Sequence, residues 1–399
     1  MSTAVGLAER TRTAAAARAA RFTAAASRRF GGEGRTLSGR VFLALASRRG
    51  AERMARRATT VLVSGTNGKT TTTTLIVRGL GAGQDLANNS SGANLRSGIF
   101  AALVDAPDAP LAVLEVDEIA LPAAVADCEP KVVALLNLSR DQMDRMHEVR
   151  RIGELWHDAL ADRPLVVVAN ADDPLIVHAV RGCREVVWVG AGQPWRGDAT
   201  ACPACAAHIQ FTDDGWHCPR CPLRRPDTAA SDAPPVTGLP GRCNEANAAI
   251  AWAVLGQLGR QGGAGAWADL EDVAGRYQRV TLDGREVRLL LAKNPAGWME
   301  TLTMLGPGSL VLALNARSED GRDPSWIWDV PFETLTKDLV VCTGERAADM
   351  AVRIDHAGLS TSIEPDVLSA VRHHPPGPVD VIANYSAFRE ARTRLFDDG

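Results

Sequence analysis

Lys69 and Thr70 stand in the run VLVSGTNGKTTTTT (61–74), where two glycines, an ammonium and a hydroxyl are spaced to hold a polyphosphate. Gly65 and Gly68 let the backbone turn sharply and present N–H groups to an anion, with Thr66 and Asn67 between them and Thr71 just after. Lys69 reaches terminal phosphates, and the Thr70 hydroxyl takes a place on Mg²⁺. The usual phosphate-loop pattern asks for a further glycine at position 63, which is Val63 here, so the loop has a shortened glycine pattern. A second group of candidates closes the run LAVLEVDE (111–118), where Glu115, Asp117 and Glu118 meet the end of an apolar strand. A carboxylate at that edge, facing a phosphate loop, suits Mg²⁺, and Glu115 is the expected ligand. Strand alternation puts Glu115 and Asp117 on one face and Glu118 on the other.

Four of the eight cysteines fall in CPACAAHIQFTDDGWHCPRC (202–221), two C-x₂-C hooks twelve residues apart with Asp-Gly at the turn of the hairpin between them. Cys202, Cys205, Cys218 and Cys221 supply a tetrahedral sulfur set suited to Zn²⁺, with His208 and His217 as substitute ligands. Four protein ligands close the coordination shell, so the metal is expected to be structural. This usage points to a reducing compartment, and Cys128, Cys183, Cys243 and Cys342 read as small buried residues.

Two further stretches carry unusual polar residues. KNPAGWMETL puts Lys293 and Asn294 at a strand end before a helix, an anion site if it is more than a loop. The loop 315–333 gathers Asp320, Arg322, Asp323 and Asp329 beside Trp326 and Trp328, which reads either as a binding surface or as a capped helix entry over buried tryptophans.

These residues need a scaffold, and the apolar patterning describes one. The β-branched run at 61–63, LAVLEVDE, KVVALLNLS, PLVVVANADD and EVVWVG read as buried parallel strands separated by helices. Leu75, Ile76 and Leu80 mark a helix after the phosphate loop, with Gly79, Gly81 and Gly83 available to end it. The fold class is α/β, with ligands expected at the carboxyl ends of the strands. The cysteine insert interrupts it at about 196–240, and NEANAAIAWAVLGQLG (244–259) closes the domain. From about 285 a second, smaller α/β domain of five or so strands begins, giving three segments: 1–57, 58–284 and 285–399.

At 399 residues and 46% hydrophobic content the chain buries a large core. No apolar run is long enough to span a bilayer, and no signal-peptide core opens the chain, so a soluble cytoplasmic protein with at most peripheral membrane contact is expected. Net charge is −3, yet residues 1–57 hold thirteen arginines against three acids. That Ala/Arg-rich start reads as helices packed on the first domain, with a transit-type leader or contact with anionic headgroups as alternatives. Lys69, Lys131, Lys293 and Lys337 are the only lysines.

In order, GTNGKTTT, LEVDE, NLSRDQMDR, NADDP and GRCNEANAAIA resemble the motifs of the Mur ligases over roughly residues 37 to 390. Those enzymes use ATP to convert a carboxylate to an acyl phosphate and join it to an amine. The cysteine insert, KNPAG and DGRDPSWIWD are similar to the MurT branch, the ligase-like subunits of lipid II isoglutaminyl synthase. The resemblance implies a P-loop central domain with a zinc-ribbon insertion, ATP with Mg²⁺, and amidation of the D-glutamate of the lipid II stem peptide. It implies a GatD-type glutaminase partner that supplies ammonia. It also implies ATP phosphates on Gly65–Thr71, Mg²⁺ on Thr70 and Glu115, and the nucleotide base near Asn244 and Asn247. An aspartate lent to the partner's Cys–His pair falls on Asp323 or Asp320, with Asp323 preferred.

One departure stands out. Conventional Mur ligases carry a His where this chain has Gln142, and a carbamylated lysine where none exists between 132 and 292. This fits an amidating enzyme better than an amino-acid ligase of Mur or folylpolyglutamate type. A nucleotide-responsive binding subunit is the alternative from another class. No cysteine sits in a nucleophile setting with a His and an acid, so ammonia must come from outside the chain.

Overall fold

The computed structural model describes residues 2–29, 36–56, 59–81, 85–89, 92–141, 149–192, 195–228, 236–261, 265, 267–270 and 277–396. Three helices, α1 (Ser2–Arg29), α2 (Leu37–Leu45) and α3 (Arg48–Ala55), open the chain. The small inner face of α1 (Ala16, Ala17, Ala20) joins the core of the following domain, where Phe42 of α2 stacks on Phe100 at 5.6 Å.

The central domain then alternates β1 (Thr59–Ser64), α4 (Lys69–Gly79), β2 (Leu86–Asn88), α5 (Arg96–Asp105), β3 (Leu111–Val116), α6 (Leu121–Cys128), β4 (Val132–Leu135), α7 (Val149–Leu160), β5 (Val166–Asn170), α8 (Pro174–Ala179) and β6 (Glu185–Val189). Its strands form one sheet in the order β2-β3-β1-β4-β5-β6, and every pairing is parallel. Helices on both faces explain the unbroken apolar strands. Leu62, Leu114, Val133 and Val167 face one core, while Val61, Val63, Val113, Val132 and Val168 face the other. The chain leaves β1 toward β2 and β3, then crosses back to β4, so the loop after β1 lies at the reversal of strand order, where an open α/β sheet forms its binding crevice.

Beyond β6 the cysteine insert folds around a hairpin of β7 (Gln210–Thr212) and β8 (Gly215–His217). The turn residues are Asp213 and Asp214, and Gly215, at φ 144°, starts β8. Helix α9 (Arg242–Gln257) returns to the second core beside α4.

The C-terminal domain consists of β9 (Tyr277–Leu282), β10 (Arg285–Leu291), α10 (Pro295–Thr303), β11 (Ser309–Ala313), β12 (Val340–Thr343), α11 (Ala347–His356), β13 (Thr361–Ile363), α12 (Val367–His373), β14 (Gly377–Ala383) and α13 (Tyr385–Phe396). The sheet order is β13-β12-β11-β14-β10-β9, parallel except for the β9–β10 hairpin. Its turn is Asp283-Gly284, both at positive φ (48° and 73°), as a two-residue hairpin turn of this hand requires. That hairpin brings a sixth strand, which starts at Tyr277, into the second sheet. Among the described residues no helix is long and apolar enough to cross a membrane.

Candidate active site

Gly65 (φ 148°) and Gly68 (φ 87°) turn the chain out of β1, and α4 begins at Lys69. A Cβ at Gly68 would stand 2.2 Å from Asn247 Oδ1, so only glycine passes here. The loop is braced by residues that follow β4. Ser139 N donates to Thr66 Oγ1 (2.9 Å), Asn67 N to Asn137 Oδ1 (2.9 Å), and Asn137 Nδ2 to Asn67 O (3.1 Å). Five consecutive threonines are tolerated because they occupy the first turns of α4, four of them buried; the Thr70 and Thr72 hydroxyls bond outward and that of Thr74 back to the helix, while Thr73 Oγ1 is buried without a partner.

Charge is buried directly under this loop. Lys69 Nζ donates to Glu118 Oε2 (3.0 Å) and to Thr66 O (3.2 Å), and both side chains are almost fully covered. Burial works to lower the lysine pKa, but Glu118, Glu115 and Asp117 outweigh it and hold it raised. Thr70 Oγ1 donates to Glu115 Oε2 (2.8 Å), whose other oxygen accepts from Asn94 Nδ2 (3.2 Å). These hard oxygen donors, side by side at the N-terminus of α4, fit Mg²⁺. The expectation that Glu118 faces away from Glu115 fails for a local reason: β3 stops at Val116, where Asp117 N turns to Asn94 O (2.9 Å). The turn brings Glu118 back to Lys69, and Trp156 Nε1 fixes its carbonyl (2.8 Å). Asp117 stays half-buried, its pKa raised chiefly by burial and then by Glu118.

A cavity of about 720 Å³ runs from this loop to the C-terminal domain, lined by Asn67, Thr71, Asn244, Asn247, Tyr277 and Glu300 among others. Asn247 Oδ1 accepts from Thr72 (3.3 Å), and its Nδ2 donates to Asn244 Oδ1 (3.3 Å), so this pair props the loop as well as lining the cavity. Asn67 and Asn294 exchange two side-chain amide bonds, both 3.2 Å, across the domain boundary. Asn294 also caps α10 by accepting from Gly297 N (2.9 Å), which settles KNPAG as a helix entry turned toward the phosphate loop. Beside it, Lys293 Nζ lies 5.3 Å over the Tyr385 ring.

The sequence reading left Asp141 and Arg140 unassigned, and both belong here. Asp141 Oδ1 is buried without a partner. Burial raises its pKa, opposed by Lys293, Lys69 and a bond to Asn294, with Glu118 adding to the rise. Arg140 bonds Asp198 and reaches Asp329 of the C-terminal domain (3.1 Å). The available signal was position alone, since both follow a parallel strand at its carboxyl end. Gln142 lies outside the described residues. Asp173 of NADDP proves structural: it caps α8 and accepts from Leu138 N (2.9 Å), while burial pushes its carboxyl up to about 6.

Cys202, Cys205, Cys218 and Cys221 converge with all ligand atoms within 4.8 Å of one another, while His208 and His217 lie outside this set. The insert rests on the edge of the central sheet: Trp216 is buried with Val177 and Ile209, and its Nε1 donates to Ala171 O (3.1 Å). Of the other cysteines, Cys128 and Cys342 are buried, whereas Cys183 and Cys243 are only partly so, and Cys243 faces Glu300 in the cavity.

The two candidate aspartates of the 315–333 loop part company. Asp320 is buried and spent internally, accepting from Ser386 N (2.8 Å), the Ser386 hydroxyl and Arg317 N (3.2 Å) at the start of α13. Asp323 is exposed; its hydrogen bond among the described residues is within its own turn, at Ser325 N (2.9 Å), and it adds to the negative charge near Arg346. The loop combines both readings: Trp326 packs on buried Trp298 (6.0 Å), while Trp328 is 50% exposed.

Comparison with known proteins agrees with this geometry. The Mur ligase middle domain family matches residues 63–255, and the MurT ligase C-terminal family matches residues 291–388. The lipid II isoglutaminyl synthase (glutamine-hydrolyzing) subunit MurT of Streptococcus pneumoniae is 30% identical over 420 residues, covering 91% of this chain and 93% of its own. Its namesake from Staphylococcus aureus is 29% identical over 386 residues, covering 85% and 88%. Among solved structures, a pseudomurein peptide ligase type C from Methanothermus fervidus superposes with a TM-score of 0.66 at 16% identity, over 86% of this chain and 79% of that one.

Proposed function

This chain belongs to the MurT family, and on that premise we propose how its residues amidate the D-glutamate carboxylate of the lipid II stem peptide. It is an ATP-dependent ligase of Mur type. The observation that carries the reading is the pair of buried contacts Lys69–Glu118 and Thr70–Glu115 beneath a loop onto which Asn294 has closed.

Backbone N–H groups from Gly65 to Thr71 take the phosphates, Lys69 neutralises the terminal one, and the edge with Asn244 and Asn247 receives the base. Thr70 and Glu115 would hold Mg²⁺, which when bound offsets phosphate charge. A carboxylate oxygen of the substrate attacks the γ-phosphorus, the bond to the β,γ-bridging oxygen breaks, and ADP leaves. The nitrogen of ammonia then attacks the acyl carbon, the carbon–oxygen bond to phosphate breaks, and inorganic phosphate departs while nitrogen loses a proton. Asp141, which lies within the electrostatic reach of Lys293, Lys69 and Glu118, and Lys293 would flank the approach of the substrate carboxylate and ammonia.

Ammonia comes from a separate glutaminase of GatD type. Asp323, not Asp320, is free of internal bonding from other elements, so Asp323 is the residue offered to that partner's histidine. Zn²⁺ on the four cysteines would act structurally, cross-linking the insert that covers the sheet edge. The protein works where lipid II is made, at the inner face of the membrane.

The test follows the lipid II precursor by mass spectrometry with ATP and ammonium, then with glutamine and the co-expressed glutaminase. Amidation in both is expected. Joining of an added amino acid, with no amidation, would overturn the proposal in favour of a conventional ligase.

A further inference from the structure

The outward face of α1 has no role in the site, and its composition is specific. At about 100° per residue, Arg10, Arg18, Arg21, Arg28 and Arg29 fall within roughly a third of the helix circumference. All five are exposed, and none pairs with a carboxylate among the described residues. Phe22, 77% exposed, borders the arginines. The adjoining face is sealed: Thr13, Ala16, Ala17, Ala20 and Ala24 are buried against the body of the protein. Glu9, the one acid of α1, turns inward to accept from the Ser47 hydroxyl. The helix is therefore fixed by its small face and presents a basic stripe with an apolar margin.

We propose that this face docks the protein flat on an anionic phospholipid bilayer. Guanidinium groups meet lipid phosphates while their stems and Phe22 reach the acyl boundary, the pattern of an interfacial amphipathic helix. Charge distribution sets the orientation. Residues 1–57 carry thirteen arginines against three acids, whereas the rest of the chain carries 31 basic and 44 acidic side chains. A planar anionic surface therefore attracts this end and repels the remainder. A nucleic-acid duplex, whose bases are already stacked inside, would gain little from Phe22, whereas the acyl boundary of a bilayer takes it up. The purpose of such docking, access to a lipid-anchored substrate, rests on the amidation reading; the docking itself does not.

The experiment is flotation of the full-length protein with vesicles of phosphatidylcholine alone or containing phosphatidylglycerol. Binding is expected only to the second kind and should fade as salt rises. The variant Arg10→Glu/Arg18→Glu/Arg21→Glu should bind at least about 100-fold more weakly, at about fivefold for each of the three arginines lost, and the added carboxylates weaken it further. Its melting temperature should hold, because all three side chains point outward. Phe22→Ala should weaken binding by about tenfold. Equal binding to both vesicle types, or an unchanged triple variant, overturns the proposal. So does loss of glutaminase co-purification in the triple variant with vesicle binding intact, which would make this face a protein interface. In parallel, the triple variant should amidate detergent-solubilised substrate normally and vesicle-embedded substrate poorly. Vesicle binding without amidation in either format would sink the functional reading and leave the docking surface standing.

Discussion

The two six-stranded sheets end their parallel strands in polar loops at one edge, but they fill those edges with different chemistry. In the central domain the edge carries charge under cover: Lys69 on Glu118, Thr70 on Glu115, and Asp141 with an unpartnered buried oxygen. In the C-terminal domain the corresponding edge carries neutral amides that satisfy the backbone. Asn384 Nδ2 donates to Asn315 O (2.6 Å), Asn315 N to Asn384 Oδ1 (3.0 Å), and Glu345 N to Asn315 Oδ1 (2.9 Å). A buried charge costs far more than a buried amide, so it persists where a ligand's opposite charge gives it work. A saturated amide lattice has nothing left to offer a ligand and serves to lock loops. At Lys293–Asn294 this second edge turns toward the phosphate loop of the first.

The sharpest test removes the central charge. Lys69→Ala should lower ammonium-dependent amidation by about 10³-fold or more, since the ammonium is the protein's own counter-charge to the terminal phosphate. Asn384→Ala, the equivalent cut in the other sheet, should cost about 1–3 kcal/mol of stability and leave turnover per folded molecule intact. If Asn384→Ala instead abolished turnover at an unchanged melting temperature, the contrast between the edges would fall.

A second difference concerns how the sheets finish sideways. β6 is covered by the four-cysteine insert through Trp216 and Trp188, whereas the C-terminal sheet ends in the antiparallel hairpin strand β9. Stripping metal with a chelator should therefore lower the melting temperature, by about 2–5 kcal/mol of stability, without altering the KM for ATP of molecules still folded. A catalytic metal would show the reverse: lost turnover with the fold intact.

Within the C-terminal edge the comparison narrows to one loop. Asp320→Ala removes three bonds at the entry of α13 and should destabilise by about 2–4 kcal/mol. Asp323→Ala should stay within about 0.5 kcal/mol of the parent. It should nonetheless depress glutamine-dependent amidation by about 10²-fold or more while sparing the ammonium-dependent reaction. Equal loss with both nitrogen sources would remove Asp323 from the partner's site.

Legibility in the sequence followed periodicity and local spacing. The alternating strands, the phosphate loop and the cysteine hooks announce themselves because each is set within a few residues. Glu118 was misplaced because alternation was carried one turn past the true end of β3, where Asp117 leaves the ladder for Asn94. Strand β9 was passed over although Asp283-Gly284 marks its hairpin, because its residues Gln278, Arg279 and Thr281 give it little apolar content. Asp320 and Asp323 were inseparable on paper, since burial by Ser386 comes from a helix 66 residues away. The pairing of Asn67 with Asn294 spans 227 residues and leaves no local trace at all.

That pairing supplies the smallest and most specific prediction. Asn294 does two jobs: its Oδ1 caps α10, and the amide as a whole grips Asn67 on the loop that receives phosphate. Asn294→Asp keeps the cap acceptor and the acceptor for Asn67 Nδ2 but loses the Nδ2 donor, so Asn67 Oδ1 is left facing a carboxylate beside the phosphate loop. Asn294→Ala loses both functions. If the C-terminal domain stabilises the loop only through this amide pair, both variants should raise the KM for ATP, alanine by about fivefold, corresponding to one net hydrogen-bonded contact of about 1 kcal/mol, and aspartate by at least as much, because its charge faces the phosphates. The alanine variant alone should also melt earlier, by the typical ~1 kcal/mol of a lost cap. A rise in KM confined to alanine would mean that α10 capping, and not the amide grip, holds the two strand edges together.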